Sequence, residues 1–479
     1  MAIHVPSADR NTLADHAIAV RFDPATDAHL ARYGLEHVLS ILGLRASIGD
    51  WSEPTIYRGD DPRIGRRAAI WIVPFTEPPH GRVPAHADAP IHCPDAQPTR
   101  RFDSSVFDFP RAAARWLTLD AERRIAARDA YGRVRAAHSE LARLAALHDP
   151  PVANYAAMLK GLIEAAGARV RPRPVWPAGK RFAVALTHDV DQPERPLRLA
   201  AALRSLKRTA GHAAKAIGHD RGPSRLPTRF WSRLMLPPTA RSDWDFDTWL
   251  DVEAACGLRS AFYFAATTRR NRHGLDPDYE ISRRRYRALF SKLESQGWEV
   301  GLHAAYDSIN GRPPVALQCA RWSQSAGRPA TGVRHHFLNV RHDDPIDTLR
   351  THADAGLSYD SSLGFNDAPG FRCGTAWPFR PFEAPGRHPR RFVELPLTLA
   401  DMHLPADDVC TAVRIVMDHL QTVRRLGGLA VLDWHVGHWH TCPAWRESYR
   451  AACRWLAAQP DVWVAPPRDI AAWWLSNTE

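Results

Sequence analysis

The sequence predicts an α/β protein whose larger, C-terminal part is a parallel sheet or barrel. Three observations predict it. Short apolar strands alternate with helical segments from residue 181 to the end of the sequence. Several of these strands run directly into His or Asp, as strands do when they empty into a site at the C-terminal edge of such a sheet. A proline-rich joint, RPRPVWP (Arg171–Pro177), sets this part off from what precedes it, because proline fixes its own φ and pushes its predecessor out of helix. At roughly 100–200 residues per domain, the 479 residues divide into a smaller α+β domain at 1–175 and the larger part at 176–479.

The elements follow in order. Before the joint, AIWIVPF (Ala69–Phe75) reads as a strand, and Ser139–Leu147 and Val152–Ala166 read as helices. The proline-dotted PPHGRVPAHADAPIHCP (Pro78–Pro94) reads mostly as loop. After the joint, RFAVALTHDV (Arg181–Val190) is an apolar strand that ends in acids. Helix Phe246–Cys256, strand Ser260–Ala265, helix Ser282–Gln296 and strand Trp298–Leu302 continue the alternation. A strand near Gly332–His336, helix Pro345–Ala355, strand Phe392–Leu397 and helix Ala406–Leu426 come next. Strand Gly428–Trp434, helix Pro443–Ala458 and strand Val462–Ala465 close the series.

Composition removes several classes of function. Apolar residues at 45% and charged residues at 24% are ordinary for a globular chain and exclude a fibrous or disordered one. No stretch approaches the ~20 apolar residues that span a bilayer. The opening MAIHVPSADRNTLADH lacks the basic start and apolar run of a signal peptide, so a cytoplasmic protein is expected. Seven scattered cysteines without a C-x-x-C pair indicate neither a disulfide framework nor a zinc ribbon. The net charge of +11 is a local feature: eleven basic residues and one acid (Asp220) lie between Arg195 and Arg241, and the rest of the chain nearly balances. No finger, helix-turn-helix or RNP-like pattern accompanies the cluster, so nucleic acid is not an expected partner.

Within that segment Leu199, Leu203, Leu206, Ala210, Ala213 and Ile217 fall on one helical face, with Arg198, Arg204, Lys207, Arg208 and Lys215 between them. Either the leucines pack on the barrel, or the cations meet an anionic membrane surface or the pyrophosphate of a lipid-linked substrate through 195–241.

Chemistry-bearing residues collect at strand ends. Asp189 and Asp191 flank a valine, so both carboxylates can face one cavity. Alone, such a D-V-D reads as a capped turn. His303 follows WEVGL, His336 lies in RHHF, and His435 ends LDWH. Four strand ends of one series carrying His or Asp point to a metal with open positions, since an Asp-His-His set is a common catalytic Zn²⁺-type site. His438 and His440 in HVGHWH, and the tryptophans near the end, read as surface and core.

The order of these motifs resembles the polysaccharide deacetylase (NodB-homology, carbohydrate esterase family 4) domain, in its H-D-V-D branch. LTHDVD (Leu186–Asp191) is similar to the first motif, GLHAAY (Gly301–Tyr306) to the second, GVRHHF (Gly332–Phe337) to the third and VLDWH (Val431–His435) to the last. YDSSLGF (Tyr359–Phe365) and GFRCGTAWPF (Gly370–Phe379) also resemble segments of that branch, over about Lys180–Trp474. FDSSVFDFPRAAARWLT (Phe102–Thr118) and RDAYGRV (Arg128–Val134) resemble an uncharacterised region that precedes the domain in some bacterial proteins.

The resemblance implies a distorted (β/α) barrel holding one divalent metal, Zn²⁺ or another transition ion. It implies removal of N-acetyl, sometimes O-acetyl, groups from sugars. Carried over by motif, Asp189 is the general base, Asp191 and His303 are metal ligands, Arg334 orients Asp189 and His435 is the general acid. The backbone N–H of Phe337 completes the oxyanion site. The family's second motif carries another histidine four residues on, where this chain has Asp307. His336 is therefore the expected third ligand, with Asp307 as the alternative. The expected function is a metal-dependent deacetylase acting on an N-acetylated glycan or lipid-linked sugar in surface-polysaccharide metabolism. The rivals are a hydrolase of a non-sugar C–N bond on the same barrel and a metal-free carbohydrate-binding pseudoenzyme.

Overall fold

The computed structural model describes residues 16–23, 28–74, 81–83, 91–93, 105–106, 108–193, 246–266, 274–386 and 390–478. The basic segment 195–241, with its expected amphipathic helix, lies outside the described residues.

The first sheet has five strands: β1 (Ala17–Phe22), β2 (Arg45–Ile48), β3 (Ile56–Arg58), β4 (Ile70–Ile72) and β7 (Ser105–Val106). Their order is β2-β1-β3-β4-β7 and every pairing is parallel. An antiparallel ribbon, β5 (Gly81–Val83) and β6 (Ile91–Cys93), falls within the segment expected to be loop. The direction of these pairings is a feature that the sequence alone does not specify. Strands of two to six residues are too short to show a periodicity from which their direction could be inferred. The helix expected at Ser139–Leu147 contracts to Glu140–Arg143, capped by the Ser139 side chain and closed by Ala145 in left-handed conformation (φ 55°).

The second sheet is the barrel. Its strands are β8 (Phe182–Val190), β9 (Ala261–Ala265), β10 (Glu299–Ala304), β11 (Gly332–His335), β12 (Tyr359–Asp360), β13 (Val393–Glu394), β14 (Leu397–Ala400), β15 (Leu429–Asp433) and β16 (Val462–Val464). All named pairings are parallel, in the order β13-β12-β11-β10-β9-β8-β15-β14. The two ends of that path, β13 and β14, are halves of one chain segment separated only by Leu395 and Pro396. The path therefore returns on itself, and the break falls at a proline, which has no N–H to give a ladder. β16 pairs with the first residues of β8, and β9 with its last, so the ring is splayed at β8. This is a distorted (β/α) barrel.

Period-two alternation decides which side chains enter it. Thr187 and Asp189 of β8, His303 of β10, Arg334 of β11 and Asp433 of β15 face inward, where they touch one another. Their neighbours face the helices: His188 packs at a tilt on Trp249 and edge-on against Tyr449, and Trp434 edge-on against Tyr449. Beneath the polar mouth the interior is plugged by Tyr263 and Tyr359, whose hydroxyls meet at 3.0 Å, and Tyr359 donates to Glu299 at 2.6 Å. Gly301 and Gly332 make room for these rings; a Cβ at Gly332 would sit 1.8 Å from the Tyr359 ring. Burial pushes the Glu299 carboxyl up to about 7. One apolar core runs through both sheets, from Ile18 to Leu475.

Candidate metal centre

Three side chains converge at the C-terminal ends of β8, β10 and β11. One possible ligand atom each of Asp191, His303 and His336 lies within 4.8 Å of the others. His303 Nδ1 donates to the Arg334 carbonyl at 3.0 Å, and His336 Nδ1 to Asp276 Oδ1 at 3.0 Å. Both imidazoles thus commit Nδ1 and turn Nε2 to one atom, Asp191 Oδ1, at 3.5 Å and 3.3 Å. A second acceptor that fixes the tautomer and ring angle is the usual support of a metal-binding histidine. Among the described residues, Asp191 Oδ1 and His303 Nε2 are buried without a hydrogen-bond partner. Such atoms are costly unless something fills the gap, and a divalent cation suits two imidazoles and a carboxylate. Burial disfavours charge on His336, but Asp191 and Asp276 outweigh it and lift this imidazole to about 9. The same imidazoles hold Asp191 well below the usual carboxylate range despite its desolvation. A cation bound here would displace that proton.

Asp189, one turn of the pleat deeper, is fixed from below. Arg334 Nη1 donates to Asp189 Oδ1 at 3.2 Å, to Asp433 Oδ1 at 2.7 Å and to Thr187 Oγ1 at 2.7 Å. Its Nε and Nη2 donate to Ser361 O and Oγ. The fully buried guanidinium thus spends its donors on one cradle, and Asp189 Oδ2 is left 3.8 Å from His303 Nε2. Burial and the neighbouring Asp189 push the Asp433 carboxyl up, against the pull of Arg334.

His435 stands opposite. Possible ligand atoms of Asp189, Asp433 and His435 also fall within 4.8 Å of one another, but Arg334 already neutralises this pair of acids. Asp401, at the end of β14 and fully buried, accepts from His435 Nδ1 at 2.9 Å, from the His435 backbone N–H at 2.9 Å and from His438 Nδ1 at 2.7 Å. Burial works against charge on His435, yet Asp401 dominates and holds it well above the ordinary 6.5. Asp401 in turn is held far below the usual range by both imidazoles, in spite of burial.

The structure therefore brings together Asp189, Asp191, His303, Arg334, His336 and His435. Asp307, on the turn Tyr306–Asn310, joins none of the possible ligand groups among the described residues. Phe337 takes a left-handed backbone (φ 62°), as does Leu338 (φ 50°), at a cost of roughly 1–2 kcal/mol per residue. Sequence reasoning missed Asp276 and Asp401, and set His438 aside as surface. The closeness of His438 to His435 in HVGHWH was the available signal; nothing local marks the two acids.

No family model and no curated protein matches the sequence. Among solved structures, the fold is similar to a protein assigned as a polysaccharide deacetylase from Mycobacterium smegmatis (19% identity, TM-score 0.41, 62% of this chain and 91% of that one). It is also similar to the PuuE allantoinase (15%, 0.41, 64% and 94%). A third is a protein assigned as a polysaccharide deacetylase from Pseudomonas aeruginosa PAO1 (14%, 0.41, 64% and 94%). With TM-scores below 0.5, these likenesses carry no argument about the chemistry of the site.

Proposed function

We propose that this protein is a metal-dependent hydrolase that removes acetyl groups, N-acetyl foremost, from a glycan or lipid-linked sugar. One observation carries the metal reading. Two histidines with Nδ1 already committed direct Nε2 at one carboxylate oxygen, and among the described residues that oxygen and His303 Nε2 lack hydrogen-bond partners. The substrate class rests on the resemblance of the four strand-end motifs.

Asp191, His303 and His336 would hold one divalent cation, Zn²⁺ being well suited to the set. Such a cation, when bound, acidifies a water and polarises the amide carbonyl. Asp189 takes the proton from the attacking water; Arg334 and Thr187 keep its carboxylate aimed upward from the barrel floor. The backbone N–H of Phe337 donates to the oxygen on which negative charge develops. His435 delivers a proton to the departing amine, and Asp401 holds its Nδ1 so that the other ring nitrogen does so. Water and acetamide become acetate and a free amine, with protons conserved.

The test is acetate release from a panel of N-acetylhexosamine oligomers, with metal content measured on the same samples. Asp189→Asn should keep its metal and lose about 10²–10⁴-fold in rate. Full activity in that variant would overturn the mechanism.

A further inference from the structure

A loop of the N-terminal region reaches the candidate centre. Asp129 accepts from the backbone N–H of Tyr131 and of Arg133, both at 2.9 Å, and from Arg133 Nε at 2.8 Å. The turn needs Gly132, whose φ is +81° and whose Cβ would lie 2.1 Å from the His342 ring of the barrel part. From this base the Arg133 guanidinium crosses to the barrel. Its Nη1 donates to the Phe337 carbonyl at 2.9 Å and to Asn366 Oδ1. It also lies over two rings, 4.9 Å from the centroid of Tyr131 and 5.6 Å from that of Phe337. Tyr131 packs on Phe337 (centroids 5.0 Å apart) and on Tyr306 (6.2 Å).

Phe337 opens the pair of left-handed non-glycine residues, and His336 immediately precedes it. Backbone of that kind persists only where its surroundings over-determine it. A guanidinium pinned by Asp129 and hydrogen-bonded to the Phe337 carbonyl is such a restraint, brought from 204 residues away in sequence.

We propose that Arg133 is a positioning residue for the metal centre. Through the Phe337 carbonyl it holds the turn 336–338, and so keeps His336 Nε2 within reach of Asp191 and the Phe337 N–H beside the reacting carbonyl. The metal and kinetic readouts rest on the function proposed above; the backbone readout does not. A residue that merely joined the two regions would change stability and leave the other readouts alone.

The experiment compares the full-length protein with Arg133→Gln and Arg133→Lys. Co²⁺ affinity and the visible spectrum of the Co²⁺ form report the ligands, and hydrogen exchange of peptides spanning 332–340 reports the turn. In Arg133→Gln, Co²⁺ affinity should fall about 10–100-fold, as it does when a group supporting a ligand is lost. The spectrum should change, kcat should fall with KM little altered, and exchange at 336–340 should quicken. Exchange in helix Val409–Leu426 should stay as it was. Arg133→Lys, with a single ammonium in place of the planar fork, should recover part of the loss. Wild-type affinity together with wild-type exchange at 336–340 in Arg133→Gln would overturn the proposal, whatever its melting temperature. If the wild type binds no Co²⁺, the metal reading fails and the exchange comparison alone decides. Should Arg133→Gln not fold, Asp129→Asn loosens the base of the same device: quicker exchange at 336–340 supports the proposal, and unchanged exchange overturns it.

Discussion

The barrel mouth holds the same three groups twice, one carboxylate and two imidazoles each time, and the two sets are wired in opposite senses. In the first, His303 and His336 spend Nδ1 on the Arg334 carbonyl and on Asp276, and turn Nε2 to Asp191. In the second, His435 and His438 both spend Nδ1 on the shared carboxylate itself, and the oxygens of Asp401 are filled. Composition is identical; the hydrogen-bond pattern differs. An unfilled carboxylate facing two Nε2 atoms is a place for a cation, whereas a carboxylate filled by two Nδ1–H donors is a device for keeping an imidazole protonated. Which nitrogen faces the acid matters more than how many ligands are present.

The largest effect should come from exchanging the fates of the two carboxylates. Asp191→Ala should lower metal affinity by more than about 100-fold, beyond what removal of a supporting group costs. Asp401→Asn should leave the metal bound and act on the proton. His435 must be protonated to serve as the acid, so kcat/KM falls as pH rises through its pKa. Asp401 lifts that pKa against burial. Without it, the high-pH limb should move to lower pH and kcat should drop by about 10²-fold or more. Metal loss in Asp401→Asn, or an unmoved limb, would break the contrast.

A smaller effect sharpens the first cluster. Asp276→Ala leaves the His336 ring without its Nδ1 acceptor and should cost about 10–100-fold in metal affinity. An equal loss from Asp307→Ala would return the third ligand to that residue; the expected change there is none, measured by the same competition titration.

Much of this was legible before any coordinates. Strands ending in His or Asp placed Asp189, Asp191, His303, His336 and His435 at one end of one sheet, because the strand ends of a parallel barrel share a mouth; Arg334 came only with the resemblance of its motif. The groups that discriminate the two clusters were not legible. Asp276 lies 60 residues from His336, Asp401 is 34 residues from His435, and Arg133 is 204 residues from Phe337. Each meets its partner through the fold and leaves no local periodicity. The parallel first sheet was hidden for another reason: β3, β4 and β7 have two or three residues each, fewer than an alternation needs to declare itself.

The most direct test is anomalous scattering from crystals of the wild-type protein grown with Zn²⁺. A single strong peak should lie about 2.0–2.2 Å from Nε2 of His303, Nε2 of His336 and a carboxylate oxygen of Asp191. A peak between His435 and His438, or one ligated by Asp307 with His336 left free, would contradict the assignment of the metal to the unfilled cluster.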